Sequence, residues 1–305
     1  MSRDYAQGIE AAPADLIRAR PDRSITGFAP GGRVSTHLWG ANRSVFRGRG
    51  MEYAESRAYQ PGDEPRAIDW RLTARSGETW TKLYHEERER PVYLLIDLRR
   101  SMQFGTRTRF KAHLAAEIAA TLAWTGHDGG DRVGATILTR SGLVEVAPSR
   151  SRAALLGLLK RISDGTLLAA ETGGEAAMDA ALKRLTRVCR PGTLAFVISD
   201  FADLDASEER ELRRLSRRAH VTCIAVFDRM EAGLPRRGGK LSDGRAAVSV
   251  GGLSAAARDR HAQDFAKRRE RLAALCARLG MACHWLSTED AAASVLMPRA
   301  RRATA

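Results

Sequence analysis

Two aspartates that each end a fully apolar run are the residues best placed for chemistry. Asp97 closes the run PVYLLID, and Asp200 follows the run TLAFVIS (Thr193–Ser199). Runs that are apolar without alternation are typical of strands buried on both faces of a parallel sheet. In such sheets, ligands bind beyond the carboxyl ends of the strands. The edge beyond these two carboxylates is therefore the first place to look for chemistry.

The elements around these two runs alternate in kind. Every fourth residue from Phe110 to Leu122 is apolar, which indicates one stripe of an amphipathic helix. Further strands are predicted at Glu78–Glu87, Asp131–Thr139, Gly142–Ala147, Val221–Phe227 and Met281–Leu286, and further helices at Ser151–Ile162, Ala176–Val188 and Phe265–Leu279. This order predicts an α/β fold, with a Rossmann-like parallel sheet flanked by helices on both faces.

Composition narrows the class of protein. The chain has 305 residues, of which 44% are hydrophobic and 28% are charged, and these fractions exclude a disordered chain, a fibre and a coiled-coil rod. No uninterrupted apolar stretch reaches the length of a membrane-spanning helix, so no transmembrane segment is expected. The four cysteines form no CxxC pair, which indicates a reduced, cytoplasmic protein.

The basic charge leaves one alternative open. Lys and Arg number 50 against 36 Asp and Glu, a formal net charge of +14. A basic nucleic-acid or anionic-surface binding protein is therefore the alternative function. The arginines are interleaved with acids, and no motif indicates a specific nucleic-acid partner. Enzymatic motifs such as GxSxG, HExxH and the phosphate-binding loop are absent, so we expect no enzyme; a hydrolase using the two aspartates with Mg²⁺ is a third possibility.

Two stretches carry a family resemblance. FRGRGMEYAESRAYQPGDEPRAIDWRLTAR (Phe46–Arg75) and YLLIDLRRSM (Tyr93–Met102) resemble the bacterial family known as domain of unknown function 58. The resemblance implies a von Willebrand factor A-like domain with an N-terminal β-containing extension. It also implies a non-enzymatic adaptor or co-chaperone that works with a MoxR-type AAA ATPase on a client protein complex.

The resemblance also implies how the chain is divided. We expect a polar N-terminal segment at 1–40 and a family-signature extension at 41–90, packed on the main domain. The von Willebrand factor A-like domain then covers 91–305, with a hairpin insertion near 235–252.

Von Willebrand-type domains often hold a divalent ion at a metal-ion-dependent adhesion site, with the core Asp-x-Ser-x-Ser, a Thr and a later Asp. Asp97, Ser101 and Asp200 match this pattern, whereas Arg99 stands where the first Ser is expected. The Thr is expected within TGGEA (172–176), where no ligand can be assigned with certainty. The resemblance therefore predicts a degenerate site at which no cofactor is expected, with Mg²⁺ or Mn²⁺ as the less favoured occupant.

The arginine opposes a bound dication. At 4 Å and an effective dielectric of 20, a guanidinium and a dication repel by about 8 kcal/mol. Three arrangements stay open: Arg99 inserted between Asp97 and Asp200 as a tethered cation, an empty solvated site, or a functional metal site. The first is favoured, and it predicts that replacing Arg99 by Ser raises the affinity for Mg²⁺.

The signature segment GDEPRAIDW holds the other candidate residues. Arg66, Asp69 and Trp70 are candidate partner-binding residues because Arg and Trp dominate interface hot spots. A structural role is the favoured interpretation of the three: Trp70 would lie in the core, and Arg66 would pair internally with an acid. Arg99 is a further candidate partner-binding residue, at the docking surface expected beyond the strand ends.

Overall fold

The computed structural model describes residues 5–22, 25–28, 34–36, 51–86, 91–168, 174–235, 238–242 and 247–296. The chain divides into two compact units. The larger unit combines Met1–Leu38 with Arg90–Ala305, and the smaller unit is Trp39–Glu89. The N-terminal residues thus belong to the same compact unit as the main domain.

The described strands, in chain order, are β1 (Ile25–Phe28), β2 (Val34–Thr36), β3 (Met51–Ala58), β4 (Trp80–Glu86), β5 (Val92–Asp97), β6 (Val133–Thr139), β7 (Gly142–Ser149), β8 (Thr193–Ser199), β9 (Ala219–Phe227), β10 (Lys240–Ser242), β11 (Ala247–Ser249) and β12 (Ala282–Ser287). The helices are α1 (Pro13–Arg18), α2 (Trp70–Ser76), α3 (Lys111–Asp128), α4 (Arg152–Thr166), α5 (Met178–Val188), α6 (Ala206–Ser216), α7 (Arg229–Ala232) and α8 (Ala255–Leu279).

A six-stranded sheet in the order β12-β9-β8-β5-β6-β7 forms the centre of the larger unit. Its neighbouring strands run parallel except for β7, which pairs antiparallel with β6. The first strand of this sheet along the chain, β5, lies in the middle, and the strand order reverses between β5 and β8. The predicted α/β fold with a Rossmann-like parallel sheet is confirmed.

Both faces of the sheet are covered by helices. Val92, Leu94 and Ile96 of β5 belong to one apolar core, shared with α1, α3 and α4. Tyr93 and Leu95 belong to a second core, shared with α5, α6 and α8. Because successive side chains of a strand point to opposite faces, an uninterrupted apolar run is what a doubly covered strand requires.

Helix α3 is buried on nearly all sides, so the predicted exposed face of an amphipathic helix is wrong for this element. The cause is the N-terminal segment, which packs on α3 and α4 as a further layer. Leu16 of α1 is fully buried, and its carbonyl accepts a hydrogen bond from the Trp124 indole N–H at 3.1 Å. Ala11 exchanges hydrogen bonds with Thr166 and Ser163 of α4, at 3.0 and 2.7 Å.

The smaller unit is built on an antiparallel pair, β3 with β4, and α2 lies in the connection between them. Helix α2 ends at Gly77, whose left-handed backbone (φ 77°) suits a residue without a Cβ. Residues 46–50, the beginning of the signature stretch, lie outside the described ranges. In the larger unit, β10 and β11 pair antiparallel within the expected 235–252 insertion.

Candidate functional site

The site lies where the strand order reverses. Asp97 is the last residue of β5, and Asp200 directly follows the neighbouring parallel strand β8. Both carboxylates are buried, with exposures of 0% and 1%. The crevice beyond the carboxyl ends of strands at such a reversal is where open α/β sheets bind ligands.

Arg99 neutralises the first carboxylate. Its Nε lies 3.0 Å from Oδ1 of Asp97, and its Nη2 lies 2.9 Å from Oδ2. The Arg99 backbone N–H also donates to Oδ1 at 3.1 Å, and the Ser199 hydroxyl donates to Oδ2 at 2.8 Å. Each oxygen of Asp97 therefore accepts two hydrogen bonds, in the two-pronged geometry that a guanidinium offers a carboxylate.

The charge of Asp97 keeps the Arg99 guanidinium protonated. Burial by itself would lower the pKa of Arg99, but the hydrogen bond and charge of Asp97 raise it above its ordinary value. The charges of Asp200 and Glu208 act in the same direction. Arg99 is therefore a permanent cation at the end of β5, with 13% of its side chain exposed.

A second cation binds the other carboxylate. The ammonium group of Lys111 lies 2.7 Å from Oδ2 of Asp200 and 2.8 Å from Oε1 of Glu231. The Ala202 N–H donates to the second oxygen of Asp200 at 3.1 Å. From the sequence, Arg99 was expected to lie between both aspartates. Among the described residues, Arg99 binds Asp97 and Lys111 binds Asp200.

Burial and charge oppose each other at the Lys111 pair as well. Burial would raise the pKa of Asp200, yet Lys111 and the Ala202 N–H hold it below its usual value. Burial would lower the pKa of Lys111, and the charges of Asp200 and Glu231 raise it. Both groups are therefore charged at neutral pH.

Lys111 is the functional residue that sequence reasoning missed. It is one of six lysines in the chain, and it opens the mostly apolar segment KAHLAAEIAATLAW. A lysine at the start of a predicted buried helix, after the Asp97 loop, could have been singled out from the sequence. Because charged side chains are rarely buried without a partner, it predicts a paired acid nearby.

These residues do not suit a divalent metal ion. The oxygens of Asp97 and Asp200 already accept hydrogen bonds, and each carboxylate is paired with a cation whose charge would repel a dication. Ser101 lies in the short 3₁₀ helix Arg100–Met102, just after Arg99. Residues 172–173 of the expected threonine segment lie outside the described ranges. Within those ranges, no group of three His, Cys, Asp or Glu side chains could hold a metal ion.

Glu208 adds a titratable group beside Arg99. It lies in the first turn of α6, where its N–H donates to the capping carboxylate of Asp205 at 2.8 Å. Burial raises the pKa of Glu208 to about 7, and the negative charges of Asp205, Asp203 and Asp97 add to this effect, whereas Arg99 opposes it. Glu208 therefore changes charge near neutral pH.

The signature residues have separate positions in the smaller unit. The Asp69 carboxylate caps α2 by accepting the Leu72 N–H at 3.1 Å and the Ser56 hydroxyl at 3.2 Å. Trp70, which was expected in the core, is 68% exposed, so that expectation is wrong. Arg66 is exposed, and within the described residues it forms no ion pair, contrary to the expected internal pairing.

Fold and site together define the class. The chain is an α/β protein with a mostly parallel six-stranded sheet flanked by helices, in which two internal cations bind the aspartates at the end of the sheet. A family model described as "Protein of unknown function DUF58" matches residues 55–281, more than half of the chain. The chain belongs to this family.

Curated relatives include the uncharacterized proteins Rv1480 of Mycobacterium tuberculosis and Mb1516 of Mycobacterium bovis. Each is 32% identical over 198 residues, which is 65% of this chain and 62% of the relative. The match thus spans less than two thirds of the relatives' length.

Similar solved structures have low sequence identity. The conserved hypothetical protein BatB from Bacteroides thetaiotaomicron has 14% identity and a TM-score of 0.39, covering 65% of this chain and 90% of BatB. The SpRpn10 VWA domain has 14% identity and a TM-score of 0.35, covering 68% and 93%. A von Willebrand factor type A structure from Catenulispora acidiphila has 19% identity and a TM-score of 0.33, covering 48% and 34%.

Hydropathy adds one finding. None of the helices within the described ranges combines the length and the apolar character needed to cross a bilayer.

Proposed function

We propose that the protein is a non-enzymatic protein-interaction module of the cytoplasm, an adaptor or co-chaperone that works with a MoxR-type AAA ATPase on a client protein complex. One observation carries the non-enzymatic part: the carboxylates at the end of the sheet are neutralised from within by Arg99 and Lys111. The ATPase partner comes from the family resemblance.

The internal ion pairs support binding rather than turnover. Hydrolysis at this edge would need a carboxylate free to act as a base or to hold a metal ion. Asp97 and Asp200 are instead fully hydrogen-bonded to residues of the chain. Because Arg99 is tethered, the site has the same charge whether or not Mg²⁺ is present. We therefore propose that partner binding at this edge needs no metal.

The smaller unit offers a docking residue. Trp70 is a large aromatic side chain that is mostly in solvent, with Arg66 exposed four residues earlier. Tryptophan and arginine supply much of the binding energy at protein interfaces because they bury large areas in one contact. We propose that these two residues form a contact of the smaller unit with the partner, distinct from the one at the sheet edge, and we assign Asp69 the supporting role of capping α2.

Affinity purification of the tagged protein from its native cells tests the proposal. The purification is done with and without ATP and Mg²⁺, followed by mass spectrometry. The expected result is a MoxR-type AAA ATPase whose recovery changes with nucleotide. The interaction is then rebuilt from purified components. If the purified ATPase does not bind the purified protein in any nucleotide state, the adaptor function is wrong.

Matched variants make the test specific. Trp70→Ala is expected to weaken ATPase binding at least tenfold, a typical loss for a hot-spot tryptophan. Val188→Ala is the control, because Val188 is also an exposed apolar residue, at 46%, on a different element. Equal binding by both variants would remove Trp70 from the surface.

The same purification distinguishes the adaptor function from the alternative, a basic protein that binds nucleic acid or an anionic surface. Helix α8 carries seven Lys and Arg against three acids, so an electrostatic partner is physically reasonable. Nucleic acid that is retained at low salt and lost steeply as salt rises would replace the adaptor proposal.

A further inference from the structure

A pocket of about 450 Å³ opens beside Asp200, between the loop after β8 and helices α7 and α8. Its apolar walls are Phe201, Leu204 and Phe265, which are themselves buried. We call it the Arg268 pocket, after the guanidinium that contributes to its polar side. Its volume is within the range of pockets that hold a small ligand or a few side chains of a partner.

Arg268 is held in place without an acceptor. Its guanidinium carbon lies 5.2 Å from the centre of the Phe265 ring, and 21% of its side chain is exposed. The nearest acid, Glu231, is 3.9 Å away, and the same Glu231 oxygen is already bound by Lys111 at 2.8 Å. Arg268 donates no hydrogen bond to any described residue, and its Nε is buried without a partner.

A guanidinium with a donor that lacks an acceptor is well suited to bind a carboxylate group. Its five N–H donors form a rigid fork that matches the two oxygens of a carboxylate, and stacking on Phe265 already restricts its motion. Arg271, a neighbour in the pocket lining, is different because its guanidinium donates to Glu209 at 2.8 Å. The unsatisfied cation of this pocket is thus Arg268, and Arg271 is its matched control.

The pocket wall is built before any ligand arrives. Phe201 has a left-handed backbone, with φ at 49°, which side-chain-bearing residues rarely adopt. Its N–H donates to the Ser199 hydroxyl at 3.1 Å, and that hydroxyl donates to Asp97 at 2.8 Å. The strained turn that shapes the pocket is therefore connected to the Arg99–Asp97 pair through Ser199. Strain of this kind is concentrated at ligand sites.

We propose that the Arg268 pocket binds an acidic residue flanked by an apolar residue, on a peptide segment of a partner protein. The carboxylate pairs with Arg268, and the apolar side chain packs against Phe201, Leu204 and Phe265. The inference rests on the proposed function, because it names a contact through which the interaction module would hold its partner.

The residues that line the Arg268 pocket argue against a polyanion such as nucleic acid as its ligand. Glu231 and Asp264 also line the pocket, and Lys267 is paired with Asp264 at 3.7 Å. Arg268 is the one cation of this lining that has a buried nitrogen without a hydrogen-bond partner among the described residues. A single such group suits one carboxylate better than a run of phosphates, since nucleic-acid affinity depends on neutralising many of them.

Two short peptides test the inference on the full chain without any ATPase. They are acetyl-Gly-Leu-Glu-Leu-Gly-amide and the same peptide with Gln in place of Glu. Binding is followed through the ¹³C-methyl signals of Leu204. The Glu peptide is expected to shift these signals and to bind at least tenfold more tightly than the Gln peptide. Equal affinities, or no shift at ~10 mM peptide, would overturn the proposal.

Variants separate recognition from folding. Arg268→Gln is expected to weaken binding of the Glu peptide at least tenfold, with Arg268→Lys in between because it keeps the charge and loses the fork. Arg271→Gln is expected to change binding less than twofold. Thermal unfolding confirms that each variant is folded, and equal losses at both arginines would contradict the assignment.

Free glutarate and a single-stranded oligonucleotide complete the test. Either one binding as tightly as the Glu peptide would replace the peptide proposal, by a small dicarboxylate or by nucleic acid. Because the ATPase is absent, failure here and failure of the adaptor proposal are separate results.

Discussion

The ammonium group of Lys111 lies 2.7 Å from Oδ2 of Asp200, and both side chains are almost fully buried. Helix α3 therefore contributes one cation to the end of the sheet, and the loop after β5 contributes another, Arg99. The two cations bind the two aspartates that would otherwise face a metal ion.

Replacing Arg99 should open the site to a metal ion. Arg99→Ser removes the guanidinium from Asp97 and restores the serine of the adhesion-site pattern. With a dissociation constant of about 1 mM, about 10 mM Mg²⁺ would stabilise the variant by about 1.4 kcal/mol, which raises the melting temperature by about 2 °C. Differential scanning calorimetry with MgCl₂ measures the shift.

The neighbouring exposed residue supplies the control for this measurement. Arg100→Ser and the wild-type protein should show no rise in melting temperature with Mg²⁺. An equal rise in all three proteins would contradict the internal-cation interpretation of Arg99.

Removing Lys111 should destabilise the fold. Lys111→Met leaves Asp200 buried and unpaired, which costs about 3–5 kcal/mol in the free energy of unfolding. Urea denaturation at pH 7 measures the loss. Adding Asp200→Asn should recover part of it, because the unpaired charge is then gone. If the double variant is as unstable as the sum of the two single variants, the residues are not coupled.

The stability of Lys111→Met should depend on pH differently from that of the wild-type protein. In the wild-type protein the pKa of Asp200 is lower in the folded state than in the unfolded chain, which stabilises the fold. This contribution is present above about pH 4 and is lost as the pH falls through the pKa of Asp200 in the folded protein. In Lys111→Met the unpaired Asp200 is relieved by protonation, so this variant should gain stability between pH 7 and pH 5 relative to the wild-type protein.

Glu208 should make stability depend on pH near neutrality. Its pKa is about 7 in the folded protein, against 4.5 for an ordinary glutamate carboxyl. Between these values the native state binds more protons, so the stability contributed by Glu208 is present at low pH and lost as pH rises to 7, by up to about 3 kcal/mol. Glu208→Gln should remove this component from urea denaturation curves.

An exposed carboxylate tests whether the Glu208 effect is specific. Glu270→Gln, on α8, should keep the pH dependence of the wild-type protein. Because the charge of Arg99 lowers the pKa of Glu208, Arg99→Ser should raise it further, which the ¹³C signal of the Glu208 carboxyl reports directly. An unchanged titration in Arg99→Ser would show that the two side chains do not interact.

Truncating Leu16 should test the N-terminal layer. Leu16 is fully buried against α3, whereas the adjacent Ile17 is 45% exposed. Leu16→Ala is expected to cost about 2–5 kcal/mol in the free energy of unfolding, as for other buried leucines. Ile17→Ala should cost no more than about 0.5 kcal/mol. Similar losses for both variants in urea denaturation would show that α1 does not pack as a core element.

The sheet could be predicted because its central strands are buried on both faces. A strand such as VYLLID must be apolar at every position, and that pattern is readable without knowing the partners. The same argument places Asp97 and Asp200 at one edge, since parallel neighbours end together. The fully buried state of α3 could not be predicted from its own residues, because α1 covers it from a distant part of the chain.

Which charged residues pair with each other depends on their distance in the folded structure. Arg99 is two residues from Asp97, so the pairing of the two could be proposed from the sequence. Lys111 and Asp200 are far apart in the chain and meet only after α3 has packed on the sheet. The exposure of Trp70 also depends on the tertiary structure. An aromatic residue next to a helix cap suggests a core position, but in the short hairpin unit Trp70 is 68% exposed.

Apolar patterning alone therefore determined the α/β class and the edge that carries the aspartates, because burial on two faces constrains residue type locally. Which cation meets which carboxylate, and which aromatic residue stays in solvent, was decided by tertiary packing. The physical reason is that ion pairing and exposure depend on what the rest of the chain brings within a few ångströms.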